Sequence, residues 1–111
     1  MPFIHYDQID KEFVTPKHST AYGALASGES IEVGYLSFKG GEGAEPHQHQ
    51  HEQIVVVLKG RIRVLLGDEE QEIGPGSGFH VPSNLLHGVT AVEDTEVISC
   101  KNLVEGVGHR I

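Results

Sequence analysis

Apolar residues in this chain come in short runs, and glycine, proline or charge interrupts them every few positions. SIEVGYLSF, QIVVVL, RIRVLLG, GFHVP, GVTAV and TEVISC each read as a strand, rich in β-branched residues and bounded by turn formers. No segment keeps a helical period over eleven or more residues, and the first twenty, with IDKEF, predict at most one short helical turn. Short strands at regular spacing predict an all-β sandwich, jelly roll or barrel. With no repeat, linker or low-complexity tract, residues 1–111 are expected to form one domain.

Within VVVLKGRIRVL, Lys59-Gly60 suits a two-residue hairpin turn, with glycine supplying a positive φ. That register pairs Leu58 with Arg61, Val57 with Ile62, Val56 with Arg63 and Val55 with Val64. Gln53, Val55, Val57, Ile62 and Val64 then share one face, and Ile54, Val56, Leu58, Arg61 and Arg63 share the other. A strand that is apolar on both faces needs cover on both, which predicts a homodimer.

Composition narrows the function. A chain of 111 residues can bury roughly two-thirds of its unfolded surface, enough for an unaided core. Sixteen acidic against eight basic residues leave a net charge of -8, which argues against nucleic-acid binding. The lone Cys100 has no disulfide partner in the chain and reads as a small core residue in a reducing compartment. The opening MPFIHYDQID lacks a basic segment and an apolar run, and no stretch nears the ~18 apolar residues of a span. A cytoplasmic protein acting on a small molecule, without membrane partners, is expected.

The densest chemistry is GEGAEPHQHQHEQ, where His47, His49 and His51 alternate and Gln53 continues their parity. Histidines at i and i+2 on a strand project from one face, roughly 6–7 Å apart, and can converge on one ion. A solvated turn, favoured by Pro46 and its neighbouring glycines, is the competing reading. The later GPGSGFHVPSNLLHGV adds a glycine turn, Pro82 in a tight turn and His87 at a strand start, placed to complete a site from a facing sheet.

These motifs resemble those of the cupins. Their first motif, G-x5-H-x-H-x3-E-x6-G, is met by Gly41, His47, His49 and Gly60, with Gln53 in place of Glu. Their second, G-x5-P-x-G-x2-H-x3-N, is met by Gly76, Pro82 and His87, with Asn84 where Gly is usual and Ala91 where Asn is usual. The resemblance covers about residues 30 to 100. It implies a small jelly-roll barrel holding one divalent transition metal ion (Zn, Ni, Fe, Mn or Cu) on His47, His49, Gln53 and His87. His51 would lie on a bulge, and Glu52 is a charged alternative to Gln53 that breaks the parity.

A glutamine ligand removes a negative charge from the site. Three imidazoles and an amide leave a divalent ion its full charge, favouring Lewis-acid over oxygen chemistry. HQHQHEQ followed by VPSNLLHGV also resembles one-domain cupins that convert 4,5-unsaturated monouronates from pectin or alginate into linear keto forms. Those relatives carry an Asp, a Pro and an Arg in the last strand and tail. Here that region reads VISCKNLVEGVGHRI, with Ser99 near the Asp position and no Pro, so no catalytic acid or base is evident. The expected function is ring opening, isomerisation or enolisation of a sugar acid or keto acid. Its rivals are a dioxygenase on the same ligands and a non-catalytic sugar-binding cupin. His80 reads as a packed or hydrogen-bonded histidine, and His5, His18 and His109 read as surface residues. Arg61 and Arg63 face outward, GDEEQE is a hairpin tip, and Glu45 lies in a solvated loop.

Overall fold

The computed structural model describes residues 3–111. Its one helical element is the turn Tyr6–Gln8, and ten strands follow: β1 (Glu12–Phe13), β2 (Tyr22–Ser27), β3 (Ile31–Phe38), β4 (Gly43–His47), β5 (Gln53–Lys59), β6 (Ile62–Leu66), β7 (Glu69–Ile73), β8 (Gly78–Val81), β9 (His87–Ala91) and β10 (Thr95–Asn102). They form two antiparallel sheets, ordered β1-β2-β3-β10-β5-β8 and β4-β9-β6-β7, packed face to face as a jelly roll. Among the described residues, no helix is long and apolar enough to cross a membrane.

The expected hairpin through Lys59-Gly60 does not form. β5 pairs with β10 and β8, while β6 pairs with β7 and β9 in the other sheet. The turn carries the chain from one sheet to the other. Gly60 has φ +91°, and a Cβ there would meet the Asp94 carbonyl oxygen at 2.3 Å, so only glycine fits against the 93–95 turn. The predicted division of faces nevertheless holds, because the crossing preserves the inward parity. Val55, Val57, Ile62 and Val64 are buried, while Ile54, Val56, Leu58, Arg61 and Arg63 are exposed.

Inward positions fill the space between the sheets with Val14, Leu25, Leu36, Phe38, Val55, Val57, Ile62, Val64, Ala91 and Val97. Burying each of the larger ones contributes about 1.5–3 kcal/mol of transfer free energy. Towards one end, the same inward rows turn polar. β10 runs Val97, Ser99, Lys101; β5 runs Val57, Val55, Gln53; β3 runs Phe38, Leu36 and ends at Glu32. Glu32, Lys101 and Gln53 stand in one row across three strands. The barrel thus has an apolar body and a polar end, where β9 contributes His87.

Cys100 lies half-buried on the outer face, opposite Ile54, rather than in the core, and that partial burial raises its thiol pKa. Sequence patterning also missed β1, β2, β4 and β7. The tip of the GDEEQE hairpin is Gly67-Asp68, and most of the acidic run is strand β7.

Candidate metal centre

His47 closes β4 and His87 opens β9, and the two are direct partners across the ladder after a register shift beyond Ala44. His49 follows in the connection to β5, held by short-range and long-range contacts. Its carbonyl accepts from the Asn84 backbone N–H at 2.8 Å, the Ser83 hydroxyl donates to the Gln50 carbonyl at 2.6 Å, and the Glu52 N–H donates to Asn102 Oδ1 at 2.7 Å. Asn84 has φ 66°, a left-handed conformation that asparagine tolerates better than other non-glycine residues, which explains how it stands at a glycine position.

These connections bring His47, His49 and His87 together, one ring nitrogen of each within 4.8 Å of the others. Each ring donates its Nδ1–H to a backbone carbonyl: His47 to Glu45 at 2.7 Å, His49 to His51 at 2.9 Å, His87 to Leu85 at 2.8 Å. All three are thereby fixed as the tautomer with a bare Nε2 lone pair, as ligating histidines characteristically are. Burial lowers the pKa of all three, that of His49 to about 4, so the rings are neutral at pH 7. His49 Nε2 is buried without a hydrogen-bond partner. Three convergent ring nitrogens with free lone pairs, one of them buried and unsatisfied, fit a divalent transition metal.

Gln53 lines the same cavity and begins a directed chain of hydrogen bonds. Its Nε2 donates to Ser99 Oγ at 2.8 Å, and Ser99 Oγ lies 2.9 Å from His109 Nε2. His109 Nδ1 and its backbone N–H both donate to Glu32 Oε1 at 2.7 Å, and Ser27 donates to Oε2 at 2.6 Å. Burial alone would raise the Glu32 carboxyl, but hydrogen bonds from His109 and Ser27 hold it at about 2. An ionised Glu32 requires a proton on His109 Nδ1. Burial lowers the His109 pKa against the pull of Glu32, leaving Nε2 to accept the Ser99 proton. Ser99 then accepts from Gln53, so the amide turns its NH2 group to serine and leaves Oε1 as the atom able to meet a cation. Gly108 permits this packing, because a Cβ there would lie 2.6 Å from Glu32 Oε1.

Several candidates lie elsewhere. His51 is buried, but its Nε2–H donates to the Val107 carbonyl at 2.6 Å and it stands outside the three-histidine group. Glu52 points outward and pairs with His80 at 2.7 Å, so neither enters the barrel. Glu45 is exposed, 3.9 Å from His18. His18, expected on the surface, instead stacks on His47 with centroids 4.8 Å apart. His109 is the larger departure: expected on the surface, it is 2% exposed at the centre of the polar network. Glu32, Ser99 and Lys101 complete that network's surroundings. Their inward parity with Leu36 and Val97 was the available signal.

A family model described as a cupin domain matches residues 34–99, more than half of the chain. Auxin-binding protein T85 of Nicotiana tabacum is 35% identical over 83 residues, covering 65% of this chain and 44% of that protein. Auxin-binding protein T92 of the same plant is 30% identical over 98 residues, 78% of this chain and 52% of that protein. The chain therefore spans about half the length of these curated relatives. Among solved structures, KdgF from Halomonas sp. superposes with a TM-score of 0.80 at 28% identity, covering 92% of this chain and 93% of that one. An RmlC-like cupin from Shewanella frigidimarina gives 0.81 at 18% identity, covering 92% and 90%, and shares the fold. With the barrel, the three-histidine cluster and the family match in agreement, the chain belongs to the cupins.

Proposed function

We propose that the protein is a metal-dependent cupin enzyme that ring-opens, isomerises or enolises a sugar acid or keto acid, such as a 4,5-unsaturated monouronate. His47, His49, His87 and Gln53 would hold one divalent ion. The observation that carries this reading is the set of three convergent, neutral, tautomer-fixed imidazoles, His49 and His87 buried and His47 half-buried, beside a neutral amide. A divalent ion on such ligands keeps its charge and supplies Lewis acidity to a carbonyl or hydroxyl. Around it the chain positions a proton carrier: the Ser99 hydroxyl, whose proton His109 Nε2 can accept while Glu32 steadies the ring. The likeness to KdgF over nearly the whole of both chains supports the uronate assignment. The deciding experiment supplies zinc-loaded protein with a 4,5-unsaturated monouronate without oxygen and follows the double bond by its ultraviolet absorption. Turnover is expected. A requirement for iron and oxygen would make it a dioxygenase.

The curated relatives favour one second reading, since their names describe binding of a small molecule. Saturable binding of the uronate without conversion would select it.

We also infer a homodimer through the outer face of the six-stranded sheet. Ile31, Tyr35, Ile54, Val56 and Leu58 are exposed there, and partly buried Val33 and Ile98 fill the gaps between them. Neighbouring strands make this one apolar patch, of a kind monomers rarely leave in water. Val56→Asp is expected to convert a dimer to a monomer in sedimentation at micromolar concentration while preserving metal content. A wild-type monomer at that concentration would refute the interface.

A further inference from the structure

The barrel encloses a cation that the histidine site does not explain. Lys101 is 3% exposed, on the inward face of β10, and lines the cavity with His47, Gln53, His87 and Ser99. In the ladder it stands between Gln53 on one side and Glu32 on the other. Glu32 is its obvious counter-ion, yet that carboxylate is already taken. Oε1 receives two hydrogen bonds from His109, Oε2 receives one from Ser27, and Arg110 Nη1 stands 4.0 Å from Oε2. Among the described residues, no carboxylate oxygen comes within 4.0 Å of the Lys101 ammonium, although nine such nitrogen–oxygen pairs form elsewhere.

A buried charge without a partner is costly and persists where something else repays the cost. Burial lowers the Lys101 pKa to about 8, with Glu32 resisting. The other titratable side chains lining the cavity are His47, His87 and His109, each with its pKa lowered by burial and neutral at pH 7. Glu32 is not among the residues lining the cavity, so Lys101 is the one formally charged side chain on its wall, inside a protein of net charge -8. A divalent ion would add further positive charge. The cavity's volume is about 60 Å³, room for a group the size of a carboxylate and not for a sugar ring.

We propose that the Lys101 ammonium receives the carboxylate of the substrate, drawing it into the barrel beside the histidine cluster while the rest of the molecule stays in the mouth. This deepens the sugar-acid reading and rests on it. Lys101 therefore selects anionic over neutral sugars, and it is a specificity residue distinct from the ligands.

The test is calorimetric titration of zinc-loaded protein with D-glucuronate and with D-glucose, in the wild type, Lys101→Met and Lys101→Arg. The wild type is expected to bind glucuronate at least tenfold more tightly than glucose. Lys101→Met should lose that preference while keeping its zinc stoichiometry and melting at a higher temperature, and Lys101→Arg should retain most of it. Unchanged glucuronate affinity in a folded Lys101→Met protein overturns the assignment and leaves the metal-dependent sugar-acid reading intact. A lower melting temperature for Lys101→Met marks the lysine as structural and also overturns it. A wild type that does not prefer glucuronate to glucose overturns both.

Discussion

Glu32→Ala is expected to destabilise the protein by about 3–5 kcal/mol, because it orphans the three hydrogen-bond donors of a buried carboxylate, at about 1–3 kcal/mol each. The carboxylate accepts from Ser27, from the backbone N–H of His109 and from His109 Nδ1, and its side chain is only 3% exposed. Alanine would leave these donors in a dry cavity, with no room for the flanking groups to reach water. For a domain near 100 residues each kcal/mol moves Tm by about 4 °C or more, so a fall of at least ~12 °C should appear in calorimetry. Glu32→Gln keeps one acceptor and should lose less. The pH dependence follows from the same contacts. The folded carboxyl sits at about 2 against an ordinary value of 4.5. Its contribution is therefore complete above about pH 4.5 and is lost as pH falls through that value towards 2, amounting to roughly 3 kcal/mol at 1.36 kcal/mol per pKa unit. Wild-type Tm should fall across this window more steeply than that of Glu32→Gln. Parallel curves would show that the carboxylate is not the stabilising group.

Glu32 also shows where sequence reasoning succeeds and where it stops. Inward and outward positions were legible because a strand's side-chain period is two, whatever its neighbours are. Val55 and Val57 therefore came out inside and Ile54 and Val56 outside, even though β5 and β6 never pair. Pairing was not legible, since a glycine turn after a strand serves a hairpin or a sheet crossing equally well. Strand β7 was hidden because its signal is charge complementarity. Its exposed Glu70 and Glu72 meet Arg61 and Arg63 across the ladder, Arg61 Nε to Glu72 at 2.8 Å and Arg63 Nη1 to Glu70 at 3.4 Å. In the site, motif spacing brought forward the histidines that converge, because those residues belong to local turns. His109 was illegible for the opposite reason. Its partner Glu32 lies 77 positions away, and nothing near the C-terminal GHRI encodes that contact. Arg110 straps the tail in place through two bonds to Glu12, at 2.8 and 2.9 Å, an equally long-range contact.

The largest effect on ligand binding is expected from His49→Ala, which should weaken binding of a divalent metal by at least about a thousandfold, or 4 kcal/mol. His49 is the ring whose Nε2 is buried with no partner, flanked by His87 and His47 at centroid distances of 4.6 and 5.6 Å. Its Nδ1 bond to the His51 carbonyl fixes its plane, so no rotamer search precedes binding. Without that ring two histidines remain on opposite strands, and Gln53, a neutral amide, would have to replace an imidazole. Metal content after dialysis, read by elemental analysis, is the direct measure. Stability gives a second one, because a ligand at a thousand times its Kd adds about 4 kcal/mol to the folded state. Zinc should therefore raise the Tm of the wild type and leave that of His49→Ala unmoved. The metal-free proteins should differ much less, since the unsatisfied nitrogen contributes nothing to the apo fold. His51→Ala supplies the contrast: its ring bonds Val107 outside the three-histidine group, so the variant should bind zinc at full stoichiometry even if its fold is weakened. If His51→Ala lost zinc while His49→Ala kept it, the ligand set would have to be redrawn around the alternation of His47 and His51, and Gln53 would lose its claim to the fourth position.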